Sequence, residues 1–449
     1  MTTAAVRPDA ALWRLGGVLI MGAVLSILDA TIVTVGIDSI ARDLDSPLTT
    51  VQWVASAYLL AASVAIPLSG WLTDRFGGRA VWLTAVALFT AGTLLCGFAW
   101  SAPALIAFRV LHGLGGGLMQ PVGQAVFAQA AGPALGRMIG VITLPATVAP
   151  VLGPMLGGAL VADFGWRWMF FGVVPLGVAT FLFARRLLPA PEPGGVRAPL
   201  DVVGIALLSP GLGALVYGLS EGVVVAAVAG VALLLAYGVH ASRTSSPVLD
   251  LTLFRNRGFA VASASTFLLG ASLYSSMLLL PLYYQQVEQA SALRAGLLLA
   301  PQALGSAAVL LAGGRLLARF GPRRMMLAGL GLSVLGTVAF TQLGSEPSGL
   351  LLTASLLIRG AGLGAATTPG MTTLYGSLER SRIPRAASAF NVVNRIGGSL
   401  GTALLAAVLH HELTASAPPA AFGTTFTWAL GLSVLTLLPA AFFPQRSLR

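Results

Sequence analysis

The chain has 449 residues, of which 56% are hydrophobic and only 9% charged, with a mean hydropathy of +0.86. Those proportions exclude an ordinary water-soluble domain and mark a polytopic membrane protein. The net charge of +11 comes from 26 arginines and no lysine, scattered through the turns between apolar runs rather than gathered on a solvated face, which excludes a nucleic-acid-binding surface.

The first apolar run, about Leu12 to Ile37, is too long for a signal-peptide core and has no small-residue cleavage site, so it is expected to remain as a transmembrane helix. Within it, "LSILDATIVTVGI" carries Asp29, and an ionised acid at mid-bilayer costs roughly 2.5–3.5 kcal/mol on the insertion scale. At about 20 residues per crossing, further segments are expected near 51–72, 80–99, 103–129, 136–161, 167–188, 199–219, 222–240, 258–287, 294–318, 324–342, 348–376, 386–411 and 422–442, about fourteen in all. The single cysteine, Cys96, excludes an internal disulfide, a CxxC redox pair and a thiolate metal cluster. Arginines recur in alternate loops, including Arg75, Arg79, Arg185, Arg186, Arg255, Arg319, Arg323, Arg380 and Arg385, which makes those loops and both termini cytoplasmic.

The chain repeats itself. "GWLTDRFGGR" from Gly70 aligns with "GRLLARFGPR" from Gly314, and "RVLHGLGGG" from Arg109 has a weaker echo in "RGAGLGAA" from Arg359. Two like-oriented six-helix halves explain both echoes, as in transporters that rock two bundles about a midplane site. The expected division is an N-terminal bundle (1–190), a Pro/Gly linker with an inserted two-helix hairpin (191–245) and a C-terminal bundle (246–449). The fold class is all-α membrane protein.

Several motifs resemble those of the fourteen-helix drug:proton antiporters of the major facilitator superfamily: "LDATIVTV", "VQWVASAYLLAASVAIPLSGWLTDRFGGR", "RVLHGLGGGLMQP", "PVLGPMLGGAL" followed by "WRWMFF", and later "LPLYYQQ" and "NVVNRIGGSLG". The resemblance covers essentially the whole chain. It implies a major facilitator fold, proton coupling at the acid of the first helix, and an exporter signature in the fifth. Gly36, Ile37 and Asp38 depart from the family's usual Ala, Leu and Pro, and His112 stands where it usually has Gln.

On residue chemistry alone, Asp29 can be isolated from water in one conformation and wetted in another, as a proton carrier requires; the alternative is an acid that only hydrogen-bonds a neighbouring helix. Arg109 is its natural counter-charge, unless it snorkels to the interface. His112 shares the face of Arg109, and a neutral, hydrogen-bonded ring is expected over a titrating one. The glycines 113, 115, 116 and 117 match no nucleotide loop and suit close helix packing. Pro150, Gly153, Pro154, Gly157 and Gly158 make a pliable helix suited to a bundle interface, or one that packs passively. Gly70 permits close helix approach, and Asp74, Arg75 and Arg79 beside Gly77 form a charge cluster able to hold a cytoplasmic gate, or serve topology alone.

The candidate cavity residues are Trp53, Tyr58, Gln120, Gln124, Tyr274, Tyr283, Tyr284, Gln285 and Asn391, an aromatic and amide lining that suits amphipathic organic compounds. Arg359 and Arg395 are intramembrane cations with functional and structural roles equally open. Glu221 and Glu288 are surface acids or aids to proton entry. "HHE" at His410–Glu412 is a poor metal site, and no metal or organic cofactor is expected, the proton being the coupling ion. No nucleophile-base set points to an enzyme. The expected function is proton-driven export of hydrophobic or amphipathic compounds by a monomer in the cell membrane. Export of one native metabolite or lipid, or a non-transporting membrane sensor or scaffold, are the alternatives.

Overall fold

In the computed structural model, the described residues are 10–189, 199–220, 222–345 and 347–443, apart from positions 136, 137, 139, 141, 142, 144–148, 150–152, 154, 155, 158, 159 and 162. All regular structure among them is helical. The principal helices are α1 (Ala10–Asp43), α2 (Leu48–Phe76), α3 (Gly78–Gly97), α4 (Ala102–Ala131), α5 (Arg167–Phe171), α6 (Val174–Leu187), α7 (Val202–Ser220), α8 (Val224–Arg243), α9 (Arg257–Gln286), α10 (Ala292–Val338), α11 (Gly349–Gly376), α12 (Ile383–Ala415) and α13 (Pro418–Leu435). Twelve stretches of the described residues are long and apolar enough to cross a membrane. One of them, Arg294–Leu343, spans 50 residues, against about 20 for one crossing. The segment expected near 136–161 falls largely outside the described residues.

Side-chain oxygens start several helices by accepting from a backbone N–H three residues on: Ser101 from Ala104 (3.3 Å), Asn256 from Phe259 (3.1 Å) and Ser348 from Leu351 (3.3 Å). The two copies of the sequence repeat end in the same backbone turn. Gly77, at φ 80° and ψ 145°, separates α2 from α3, and Gly321, at φ 76° and ψ 165°, interrupts α10. A residue with a Cβ is disfavoured at such angles, so both turns require glycine. The break at Gly321 divides α10 into two crossings, as expected for 294–318 and 324–342.

Glycines of α4 let α2 and α3 come to backbone contact. A Cβ on Gly115 would lie 2.5 Å from the Phe89 nitrogen of α3, and one on Gly117 would lie 2.5 Å from the Ala62 carbonyl of α2. Lining up these small residues leaves α4 central, where Arg109 and His112 are buried. The hairpin α7–α8 packs on α2, with Ser209 Oγ donating to the Val64 carbonyl (3.0 Å) and Tyr217 stacked on Trp53 at 5.3 Å between ring centroids. Tyr237 of α8 donates to the Leu249 carbonyl (2.9 Å), tying the hairpin to the strap that leads into α9. The outer face of α8 is apolar, with Val224 and Val225 72% and 80% exposed, as a lipid-facing surface requires.

The glycine packing of α4 is testable through Cys96, a sole and fully buried thiol whose reaction with a thiol-sensitive dye reports unfolding. Gly117→Val should lower the midpoint of a dye-monitored melt, corresponding to about 1–3 kcal/mol of overpacking. A midpoint equal to that of the wild type would show that α2 and α4 are not held at backbone contact.

Candidate functional site

The buried charges of the N-terminal helices meet at one point. Asp29 of α1 and Arg109 of α4 are 2% and 1% exposed, and Arg109 Nη1 donates to Asp29 Oδ2 at 2.6 Å. Arg109 Nε donates to the Val54 carbonyl of α2 (2.9 Å), and the guanidinium lies 4.4 Å above the Tyr58 ring centroid. Arg109 thus ties α1 and α2 to α4, and the ring face adds cation–π attraction in a dry site. His112, fully buried, completes the cluster: its Nδ1 is 3.1 Å from Arg109 Nη1 and its Nε2 is 2.9 Å from Thr93 Oγ1. Arginine can only donate, so Nδ1 accepts and the ring proton sits on Nε2. Nε2–H then donates to Thr93 Oγ1, which donates to the Phe89 carbonyl (2.8 Å). The chain is satisfied with a neutral imidazole.

A cavity of about 870 Å³ lies between the N-terminal and C-terminal helices. Ile27 and Thr31 of α1 line it, whereas Asp29 between them turns away to Arg109. One helix wall therefore separates the acid from the cavity. The expected residues Gln120, Gln124, Tyr274, Gln285 and Asn391 line the cavity, joined by Gln302, Asn394 and Ser276. Asp38, exposed at the far end of α1, is its only acid among the lining residues. Two described glycines of the fifth segment press on α1 beside Asp29: a Cβ on Gly153 would lie 2.7 Å from Thr31 Cβ, and one on Gly157 would lie 3.1 Å from the Ile32 carbonyl. Pro150, Pro154 and Gly158 lie outside the described residues.

The cavity is closed at the Arg-rich side. Arg385 Nε donates to Asp74 Oδ2 at 2.7 Å, and a Cβ on Gly70 would lie 3.1 Å from Arg385 Cα. Beneath that contact, Ser388 Oγ of α12 is within hydrogen-bonding distance of the Ile66 and Pro67 carbonyls (3.0 and 3.1 Å). Deeper still, Asn391 Nδ2 donates to Gln124 Oε1 at 2.8 Å, flooring the cavity. At the opposite side, Asp38 and Gln285 stand exposed at its mouth. The expected charge cluster is divided: Asp74 pairs across the seam, Arg79 donates to the Leu188 and Arg185 carbonyls (3.1 and 2.6 Å) at the end of α6, and Arg75 is exposed. Loop position alone does not distinguish these arginines in sequence; the length of helix between each and Asp74 does not fix which helix end they reach.

The Major Facilitator Superfamily model matches residues 19–402 of the chain. The protein belongs to that superfamily. It is 33% identical over 98% of its length to the multidrug resistance protein B homolog of Mycobacterium tuberculosis H37Rv, of which 91% is covered. It is 31% identical over 87% of its length to the multidrug export protein EmrB of Haemophilus influenzae, of which 80% is covered. Among solved structures it is similar to the human organic anion transporter MFSD10, with a TM-score of 0.69 at 20% identity and 97% and 100% of the two chains covered. The proton:xylose symporter XylE aligns with a TM-score of 0.65 at 15% identity, covering 98% of each chain. These likenesses establish the major facilitator fold and a multi-pass membrane transporter.

In this facilitator the remaining expected residues that are described lie away from the cavity wall. Tyr58 is buried under Arg109, and Trp53 faces the inserted hairpin through Tyr217. Tyr284 is buried beside Tyr283, whose hydroxyl donates to the exposed Glu288 (3.0 Å). Arg359 is 2% exposed behind the lining residues Gln302 and Ser276. Arg395 is half-buried on α12 and makes no ion pair among the described residues. Glu221 lies outside the described residues. His410 and His411 are exposed near the end of α12. Outside the crossings, Asp43 accepts from Trp166 Nε1 (2.9 Å) and Arg167 Nη1 (2.5 Å), and these bonds, Trp166 first, hold its carboxyl below the usual range. Burial pushes the Asp250 carboxyl up, but bonds from Thr252 and Arg382 outweigh it and leave the group below the ordinary value.

Substitutions at two positions, His112 and Arg385, probe this site. His112→Leu removes the acceptor of Arg109 and the donor to Thr93, and should cost about 1–3 kcal/mol in a dye-monitored melt, whereas His112→Gln can serve both and should stay near wild type. Equal midpoints for the two variants would sink the hydrogen-bond chain. Arg385→Ala should loosen the Arg-rich side, lengthening the mean distance between nitroxides placed through Ala80→Cys and Arg380→Cys in a Cys96→Ala background. An unchanged distance distribution would mean that the Asp74–Arg385 pair does not hold that side closed.

Proposed function

We propose that this facilitator is a proton-coupled antiporter of the fourteen-helix drug:proton type, exporting hydrophobic or amphipathic compounds from the cytoplasm by alternating access. Residues 1–190 and 246–449 form the two rocking bundles, 191–245 the inserted hairpin, and the Arg-rich side with both termini is cytoplasmic. The observation that carries this reading is the Asp29–Arg109 pair, buried one helix face behind the cavity. The cavity volume, about 870 Å³, suits a drug-sized ligand, and its apolar and amide lining suits compounds with few fixed polar points. The relatives named for multidrug resistance and export support the same substrate range.

The described conformation faces the outside. Asp29 is an ionised carboxylate held by Arg109, and a proton arriving through the outer mouth neutralises it. The 2.6 Å ion pair is then lost, and Arg109 keeps the Val54 carbonyl, His112 and the Tyr58 and Phe170 rings but no counter-charge. An uncompensated guanidinium in low dielectric is costly, so α1 and α4 repack and the bundle tilts inward. Breaking the Asp74–Arg385 and Ser388 contacts opens the cytoplasmic side, where substrate enters and the proton leaves. The glycine face at 153 and 157, which lets the fifth segment slide on α1, lies where that movement is needed.

In proteoliposomes with an imposed pH gradient, the wild-type protein should drive substrate efflux, and Asp29→Asn should still bind substrate but lose the gradient dependence. If the Asp29→Asn variant follows the gradient as the wild type does, the proton travels by another route and the reading fails.

A further inference from the structure

The two halves treat their buried arginines differently. Arg359 stands in α11 as Arg109 stands in α4, in line with the sequence echo between "RVLHGLGGG" and "RGAGLGAA". Arg109 is held from α1 by Asp29, and Arg359 is held from α9 by the hydroxyl of Ser276. Its other partners are Thr337 Oγ1 (3.2 Å) and Gln302 Oε1 (2.7 Å). All three are neutral, and no acid pairs with Arg359 among the described residues. Removing the acid from such a pair leaves a buried cation without its counter-charge, which is unfavourable unless an anion comes to it.

The partners of that cation face the cavity. Ser276 and Gln302 both line it, whereas Arg359 lies directly behind them. Because arginine only donates, Gln302 Oε1 must accept from it, which turns the Nε2 amide hydrogens away as free donors. Gln302 Nε2 has no hydrogen-bond partner among the described residues. The cavity lining holds one acid, Asp38 at the mouth, and no arginine. The Asp29–Arg109 pair is neutral as a unit and faces away. Away from Asp38 at the mouth, Arg359 is the uncompensated charge behind the lining, so the field is positive at the Ser276–Gln302 wall.

We propose that this wall is an anion subsite, and that the facilitator prefers amphipathic substrates carrying one ionised carboxylate. The carboxylate accepts from Gln302 Nε2 and rests in the field of Arg359, while the apolar body lies along Leu273, Met277 and Leu299. This assignment of substrate class rests on the transport reading above. A charge-assisted hydrogen bond in a site of low dielectric gives the carboxylate about tenfold or more in affinity over an uncharged analogue. Lipophilic cations, which the Arg359 field repels, bind least.

The test is equilibrium binding to the purified full chain, using a dansylated undecanoic acid, its methyl ester and the corresponding amine. The wild type should bind the acid at least about tenfold tighter than the ester, with the amine weakest. Ser276→Asp places a carboxylate where the N-terminal half has Asp29, and should abolish the preference for the acid over the ester. Gln302→Leu, an independent variant at a half-buried position, should reduce the preference as well. Equal binding of acid and ester by the wild type, or a preference that survives both Ser276→Asp and Gln302→Leu, overturns the subsite. Binding needs no gradient, so these outcomes stand apart from the coupling experiment: gradient-driven efflux of the ester alone would leave the transport reading intact and remove only the anion preference.

Discussion

An ionised side chain inside a membrane protein has to be matched by an opposite charge or by a full set of hydrogen bonds, since water is not there to do either. The Asp29–Arg109 pair meets that requirement, and much of the N-terminal architecture follows from it. Arg109 reaches α1 through Asp29 and α2 through Val54, so three helices share one cation. His112 and Thr93 extend the chain to α3. A proton that neutralises Asp29 would thus alter the balance of four helices at once, without any direct contact between the acid and the cavity.

Glycine makes this arrangement possible. A guanidinium can span from α4 to both neighbours only where the backbones come within contact distance, and the 113–117 run supplies that proximity. The same logic appears on α3, where a Cβ on Gly92 would lie 2.7 Å from His112 Cα. His112 fits at a position where the drug:proton antiporters usually have Gln, because its two ring nitrogens accept and donate in the same sense as a glutamine side chain.

Much of the fold was legible in the sequence. Apolar runs of crossing length marked the helices, and the repeated motif marked the paired turns at Gly77 and Gly321, since both need a positive φ. Asp29 and Arg109 were legible as partners because few other charges share the apolar runs. What could not be read is which side of a helix faces which cavity. Tyr58 and Trp53 have the composition of lining residues, yet one lies under Arg109 and the other faces the hairpin, a distinction set by helix rotation and not by residue type. The same limit hid Gln302 and Ser276, ordinary polar residues in apolar runs until Arg359 gives them an orientation. In sequence Arg385 is one more topogenic arginine; its pairing with Asp74 depends on the tertiary approach of α2 and α12, for which Gly70 is the sole local signal.

On the alternating-access reading proposed above, the closed side of the cavity would act as a gate that is firm and still reversible. Its contacts are an ion pair at the rim, worth about 0–1 kcal/mol when solvent reaches it, and hydrogen bonds from Ser388 and Asn391 at about 1 kcal/mol each. Together they amount to a few kcal/mol. Turning a two-state equilibrium from 1:99 to 99:1 takes about 5.5 kcal/mol, the same order. A buried ion pair costs about 3–5 kcal/mol when one partner is lost, so changing the state of Asp29 carries enough free energy to outweigh the gate. A stronger seal, such as an apolar interface of domain-core character, would lock the bundles in one state. The use of backbone approach at Gly70 with a few polar bonds keeps the energies of the gate and of the buried pair commensurate, and that balance is what alternating access requires.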